Sequence, residues 1–407
     1  MYYRINPKNG DKISNLAYGC MRFPRKGGGI DQTYANSLVK EAIDSGMNLF
    51  DTAYIYPGSE NALGTALDAC GRRKDVFIST KLPPYLCKKT EDFEKIFTTQ
   101  LSRLKTDYID YYFLHMLTDV KSWEQLKSIG ILDWISRKKE SGAIRNIGFS
   151  FHGGVNAFRE IVNAHDWDFC MIQYNYLDEN NQAGYSGLRY ANEKGLPVFI
   201  MEPLRGGTLA TKLPPEAMKI FQAADVGKSF AEWGLRFVWN HPEVTSVLSG
   251  MSDIDQLREN IRIADTALPG SLTDTEKDVY KTVVAAINKV VKVPCTGCGY
   301  CIAVDDKQTG CPKSVDIPTC FSCYNESFSM GKKGRWQYYQ YTGMISPTQT
   351  DASKCIGCHK CESHCPQNIQ IAEELKNVRK RMNSGFMDFM LRVVRKIMRV
   401  NSASPPK

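Results

Sequence analysis

The 407 residues exceed one small module and are enough to bury a sizeable core. With 43% hydrophobic and 24% charged residues the chain belongs among folded globular proteins, which excludes global disorder and fibrous architectures. Its formal charge of +8 is no nucleic-acid footprint, because nine basic residues against the single acid Asp388 between Lys376 and Lys407 hold the whole excess and leave the body formally neutral.

The opening MYYRINPKNGDKISNL lacks a basic region followed by an apolar run, and no stretch of about 18 apolar residues occurs, so a cytoplasmic location is expected. Short β-rich runs follow at NLAYGCMRF (15–23), NLFDTA (48–53), VFISTK (76–81), YIDYYFLH (108–115), IRNIGFSF (144–151), FCMIQYN (169–175), PVFIMEP (197–203) and TSVLSGM (245–251). Helical patterns such as DQTYANSLVKEAIDSG and DFEKIFTTQLSRL lie between them, several closed by Gly. Eight strand and helix units over some 250 residues predict a (β/α)8 TIM barrel over 1–270, with a doubly wound open sheet as the alternative. The glycine run Gly27 to Gly29 reads as a connection after the first strand rather than a phosphate loop.

Residues 271–294 read as a linker helix opened by a capping box, Thr273 to Glu276. Residues 295–371 hold ten of the 14 cysteines and form a second, ferredoxin-like domain. The stretch from Tyr324 to Lys354 has no clear period and reads as a long connection. From 372 to 407 the chain is helical and basic. Phe386, Phe389, Val393, Ile397 and Val400 recur at helical spacing opposite Arg392, Arg395, Lys396 and Arg399, an amphipathic pattern suited to an anionic membrane surface, an acidic partner or packing on the protein itself.

Without a secretory signal, clustered cysteines point to metal ligation rather than disulfides. Cys355, Cys358, Cys361 and Cys365, followed by Pro366, spell the C-x2-C-x2-C-x3-C-P run of two-cluster ferredoxins, in which the fourth cysteine serves the other cluster. Cys295, Cys298, Cys301 and Cys311 form the second half, with a widened final gap. Crossing then places Cys295, Cys298, Cys301 and Cys365 on one 4Fe-4S cluster and Cys355, Cys358, Cys361 and Cys311 on another. A pair of structural zinc sites is the alternative. Cys320 and Cys323 read as buried small hydrophobes, with spare ligation as the other option.

Three strands close on ionisable residues, at the end of a barrel where active sites sit: Asp51 with Tyr56 shortly after, Lys81, and His115. A nearby ammonium stabilises a phenolate, and a carboxylate fixes that ammonium, so the four together make a proton-donating set.

With FDTAYIYPGSE, STKLP, DYYFLH, GFSFHG, IQYNY, MEPLRGG and VLSGMSDIDQLRENI, the chain resembles the aldo-keto reductase family, in the branch with a ferredoxin-like C-terminal domain. The resemblance implies that Tyr56 is the general acid, tuned by Lys81 paired with Asp51, and that His115 orients the carbonyl. It implies that Ser150 and Gln173 hold the nicotinamide carboxamide, with Phe151 where an Asn usually stands and His152 as its stand-in. Met201 would cover the nicotinamide face, and the loop Leu204 to Gly207, Gly206 included, would take the pyrophosphate. Gly250 and Gln256 occupy positions where many relatives bind the 2'-phosphate through basic side chains, leaving Arg258 as the nearest cation and the choice of NADP or NAD open. Asn260 would contact the adenine.

Two readings of function follow. The first is an NAD(P)-dependent oxidoreductase acting on a small-molecule carbonyl or alcohol, with two appended 4Fe-4S clusters. The second is an electron-transfer or redox-sensing protein that binds nicotinamide without significant turnover and docks a redox partner protein.

Overall fold

Strands buried on both faces of a parallel sheet read as short apolar runs, and the computed structural model folds all eight runs of this kind into strands. It describes residues 1–302, 310–330, 332–339, 341–342 and 349–385. The strands are β1 (Leu16–Gly19), β2 (Leu49–Asp51), β3 (Phe77–Leu82), β4 (Ile109–Leu117), β5 (Ile144–Phe151), β6 (Phe169–Gln173), β7 (Val198–Met201) and β8 (Val244–Ser249). They close a parallel barrel in chain order, and the seam β8 to β1, in register Val247↔Leu16, excludes the open-sheet alternative.

The intervening helices follow local signals. Residues Gln32–Asp44 begin after Asp31, whose carboxylate accepts from Tyr34 N at 3.2 Å, and bury Ala35, Leu38, Val39, Ala42 and Ile43 on one stripe. Residues Ile254–Ala264 begin after Asp253, which caps Gln256 N at 2.9 Å. Gly27 and Gly28, at φ 61° and 86°, form the turn of a small hairpin that pairs Arg25–Lys26 with Gly29–Ile30, so the glycine run is a tight turn with both central residues left-handed.

Strand alternation fills the lumen. Tyr111, Phe113, Phe169 and Phe199 meet there, with the Phe169 ring 4.6 Å from Phe113, 5.0 Å from Tyr111 and 5.4 Å from Phe199. Each buried ring contributes roughly 1.5–3 kcal/mol. An N-terminal hairpin, Tyr3–Ile5 with Lys12–Ser14, adds Ile13 to this cluster, and Tyr111 donates its hydroxyl to Asp11 at 2.5 Å. Ionisable residues two positions beyond the packed rings lie at the opposite end.

The chain divides into two compact units: Met1–Ala210 with Gly227–Lys277, and Thr211–Val226 with Asp278–Lys407. The division runs through the helix Asp274–Val290, which opens with the Thr273 and Glu276 capping box. Helix Pro215–Ala224, inside the range expected for the barrel, groups with the second unit, where Phe221 lies 6.0 Å from the Tyr280 ring and Lys289 pairs with Glu216 at 3.1 Å.

In the second unit, helices Ile317–Met330 and Lys332–Tyr339 take in the first part of the stretch read as a long connection. Ile317, Cys320, Phe321 and Tyr324 recur at helical spacing and are all buried, so the apolar period was present but carried partly by cysteine. Cys323 is buried in the same cluster. The amphipathic pattern from Phe386 to Val400 lies outside the described residues. Among the described residues no helix is long and apolar enough to cross a membrane.

Candidate active site and cysteine centres

Strand register places the ionisable residues at the C-terminal mouth. Leu49 and Phe113 face the lumen, so Asp51 and His115, two residues on, share that side. Asp51 is in register with Ser79, and Lys81 with Phe113. Lys81 Nζ lies 2.6 and 2.7 Å from the two Asp51 oxygens and donates to the Thr52 carbonyl at 2.6 Å, and Ser79 donates to Asp51 at 2.7 Å. Burial pushes Asp51 up and Lys81 down, and each opposes the other's shift through their attraction.

The Lys81 ammonium is 5.2 Å from the centroid of the Tyr56 ring, which stands edge-on to the His115 ring at 6.0 Å and 82°. Tyr56 itself is half-buried on the loop after β2. Burial, then Lys81 and His152, hold His115 well below the ordinary imidazole range, so it is neutral at pH 7, and its Nδ1 has no hydrogen-bond partner. The structure thus brings Asp51, Tyr56, Lys81 and His115 together.

Residues that sequence reading passed over support this set. Glu60, 1% exposed, accepts from Thr80 at 2.6 Å and Gln100 at 2.9 Å and pairs with Arg103 at 3.1 Å, and Gln100 also donates to the Lys81 carbonyl at 3.1 Å. The only signal was its place in the YPGSE motif. Cys20 is fully buried beside the Asp51 and Lys81 pair, and burial raises its thiol far above the usual range, which keeps it protonated.

The expected cofactor residues ring the same mouth. Ser150 Oγ accepts from Met116 N at 2.9 Å. Gln173 donates to Asp178 at 2.8 Å and accepts from Gln182 at 3.3 Å, while Gln182 also meets His152 Nδ1 at 3.2 Å. Asp178 ends this chain by pairing with buried Arg205 at 3.0 Å. Met201, half-buried, packs against the lumen cluster. The turn after β7 is left-handed at Arg205, Gly206 and Gly207, with Leu204 packed on Gly234 and the Gly206 N–H donating to the Glu202 carboxylate. Gln256 is engaged with Ser252 N at 3.0 Å, and Asn260 is buried on Ser249 Oγ at 2.9 Å. Arg258, the cation expected nearest, is held by Glu41 at 2.9 Å on an exposed face. The side chain nearest Gly250 is instead Arg22, whose aliphatic stem would lie 3.0 Å from a Cβ at that glycine while its charge acts on the Glu202 carboxylate. Ser150 and Gln173 offer polar side chains of the kind a carboxamide takes, and half-buried Arg22 a cation of the kind a phosphate takes, whereas Arg205 is engaged with Asp178.

In the second unit, Cys295, Cys298, Cys301 and Cys365 line one cavity, together with Ile317, Phe321, Ile369 and Ile371. Cys365 thus lies beside the three cysteines of the Cys295 group. Cys365 accepts from the backbone of Gln367, Asn368 and Ile369, and Cys295 from Gly297 N at 3.4 Å, bonds that favour the thiolate. Cys361 stands in the field of Cys311 first and Cys355 as well, and burial pushes its thiol up to about 12. Among the described residues no three His, Cys, Asp or Glu side chains converge as ligands of one ion. Cys358 is exposed, and Ile356 beside it is 60% exposed.

The pattern of the Aldo/keto reductase family matches residues 15–275, and that of a 4Fe-4S binding domain matches residues 348–370. The chain belongs to the aldo/keto reductase family and carries a C-terminal 4Fe-4S binding domain. It is similar to the uncharacterized oxidoreductase YqkF of Bacillus subtilis (strain 168), 27% identical over 306 residues that span 66% of this chain and 95% of that protein. The holo form of aldo-keto reductase AKR11C1 from Bacillus halodurans is 26% identical with a TM-score of 0.58, over 70% of this chain and 96% of that one. An aldo/keto reductase from Klebsiella pneumoniae in complex with NADP and acetate, 22% identical with a TM-score of 0.57 over 69% of this chain and 96% of that one, shares the fold.

Proposed function

We propose that the barrel interconverts a small carbonyl compound and its alcohol with NADP or NAD, and that the second unit carries two 4Fe-4S clusters. The observation that carries the first reading is the Lys81 and Asp51 pair facing Tyr56, with His115 alongside. The nicotinamide supplies the hydride when bound. Tyr56 then gives its hydroxyl proton to the carbonyl oxygen as negative charge builds there, while the Lys81 ammonium stabilises the phenolate left behind. Neutral His115 donates an N–H to that oxygen and orients the carbonyl. The NADP held by the Klebsiella pneumoniae relative, and half-buried Arg22 in this chain, support a nicotinamide dinucleotide.

The clusters rest on the crossed thiol set and on the matched 4Fe-4S binding domain. Exposure of Cys358 and Ile356 supports one-electron exchange with a redox partner protein through the second cluster. The test is anaerobic mixing of the iron-loaded protein with NADPH or NADH before and after adding aldehydes and ketones. Nicotinamide oxidation that requires a carbonyl, and that falls at least about 100-fold in Tyr56→Phe, supports the reading. Unchanged turnover in that variant ends it.

A further inference from the structure

Besides Gly299 and Gln367, the cavity ringed by Cys295, Cys298, Cys301 and Cys365 is walled by Ile317, Pro318, Phe321, Ile369 and Ile371. One hydroxyl interrupts that wall. Thr296 lines the cavity between the first two cysteines, is 3% exposed, and its Oγ1 is buried without a hydrogen-bond partner. A buried hydroxyl left unpaired is destabilising, so its proton needs an acceptor. Gln367, the other polar side chain of the lining, forms no hydrogen bond with it.

Sulfur in a cluster is such an acceptor. Hydrogen bonds to cluster or cysteinyl sulfur favour the more negative, reduced state and thereby raise the reduction potential. We propose that the Thr296 hydroxyl donates a hydrogen bond to a sulfur of the cluster seated in this cavity, and that this bond holds its one-electron couple at a higher potential than the same site would have without it. Nothing in the spacing of the cysteines requires a hydroxyl at this position. The inference rests on the proposed cluster at the site. It makes Thr296 a tuning residue and not a ligand.

The test uses the full-length protein reconstituted anaerobically as wild type, Thr296→Val and Thr296→Ser. Iron and sulfide are assayed, and each four-iron signal is followed by electron paramagnetic resonance during a potentiometric titration. In Thr296→Val one couple moves negative by about 59 mV, a tenfold change in its oxidised-to-reduced ratio. The other couple stays in place, and Thr296→Ser restores the shifted one. Full iron content with no shift in Thr296→Val overturns the inference while leaving the cluster reading intact. Thr296→Ala, which adds no apolar bulk, provides the same comparison if the valine variant does not assemble. Failure of the wild type to bind iron and sulfide at the Cys295 group overturns the cluster reading, and the inference with it.

Discussion

Lys81 Nζ contacts both carboxylate oxygens of Asp51, at 2.6 and 2.7 Å, and neither side chain is more than 6% exposed. Removing one partner of such a pair strands the other as a buried charge. Asp51→Asn is expected to lower stability by about 3–5 kcal/mol and to reduce carbonyl turnover as well. Denaturant melts of Asp51→Asn, Lys81→Met and the double variant check this. The double variant should recover part of the loss, since no charge is then left alone, and strict additivity of the two losses would refute the coupling.

The pH dependence has a definite sign. Burial lowers the His152 imidazole to about 4, below the ordinary value near 6.5 that it regains on unfolding. The unfolded chain therefore binds the extra proton first as pH falls. Stability is fully present above about 6.5 and declines by roughly 3 kcal/mol by pH 4 through this group. Replacing it, as His152→Gln, should flatten the acid limb of stability against pH over that interval. An unaltered slope between pH 6.5 and 4 would show that His152 does not titrate as placed.

The proposed crossed ligation would separate two cysteines that a sequential reading assigns differently. Cys365 lies with the 295 group, whereas Cys311 acts on Cys361. Cys365→Ser should therefore perturb one four-iron signal and Cys311→Ser the other, read by electron paramagnetic resonance and iron content. Loss of the same signal in both variants would contradict the crossing.

Packing at Gly148 yields a further expectation. A Cβ there would sit 2.4 Å from the Phe169 carbonyl oxygen across the β5 and β6 pair. Gly148→Ala must spread those strands and should cost about 1–3 kcal/mol in a denaturant melt. A variant as stable as the parent would mean that the barrel wall yields more readily than close packing allows.

The barrel was legible because its strands are apolar runs that end in ionisable residues, and alternation carries Phe113 and His115 to the same side. The Asp51, Tyr56, Lys81 and His115 set could be read for that reason. Partnerships between distant residues could not. Arg258 is 217 positions from Glu41, and its being tied there depends on how two helices meet. Arg22 reaches Gly250 only once β8 closes on β1. The Glu60 cluster likewise needs Thr80, Gln100 and Arg103 brought together by folding. Helix Ile317–Met330 was hidden for a different reason: Cys320 and Cys323 were read as buried, but the polar and aromatic run that follows Tyr324 shows no period of its own.

Helix Pro215–Ala224 belongs with residues after Asp278, although β8 lies between them in the chain. During synthesis, a piece of the iron-binding unit therefore leaves the ribosome before the last barrel strand does, and it waits for more than fifty residues to emerge before meeting Tyr280 and Lys289. No single cut releases either unit whole. A C-terminal fragment starting at Asp278 loses the ring of Phe221 and the carboxylate of Glu216, and a barrel ended at Lys277 keeps an orphan helix.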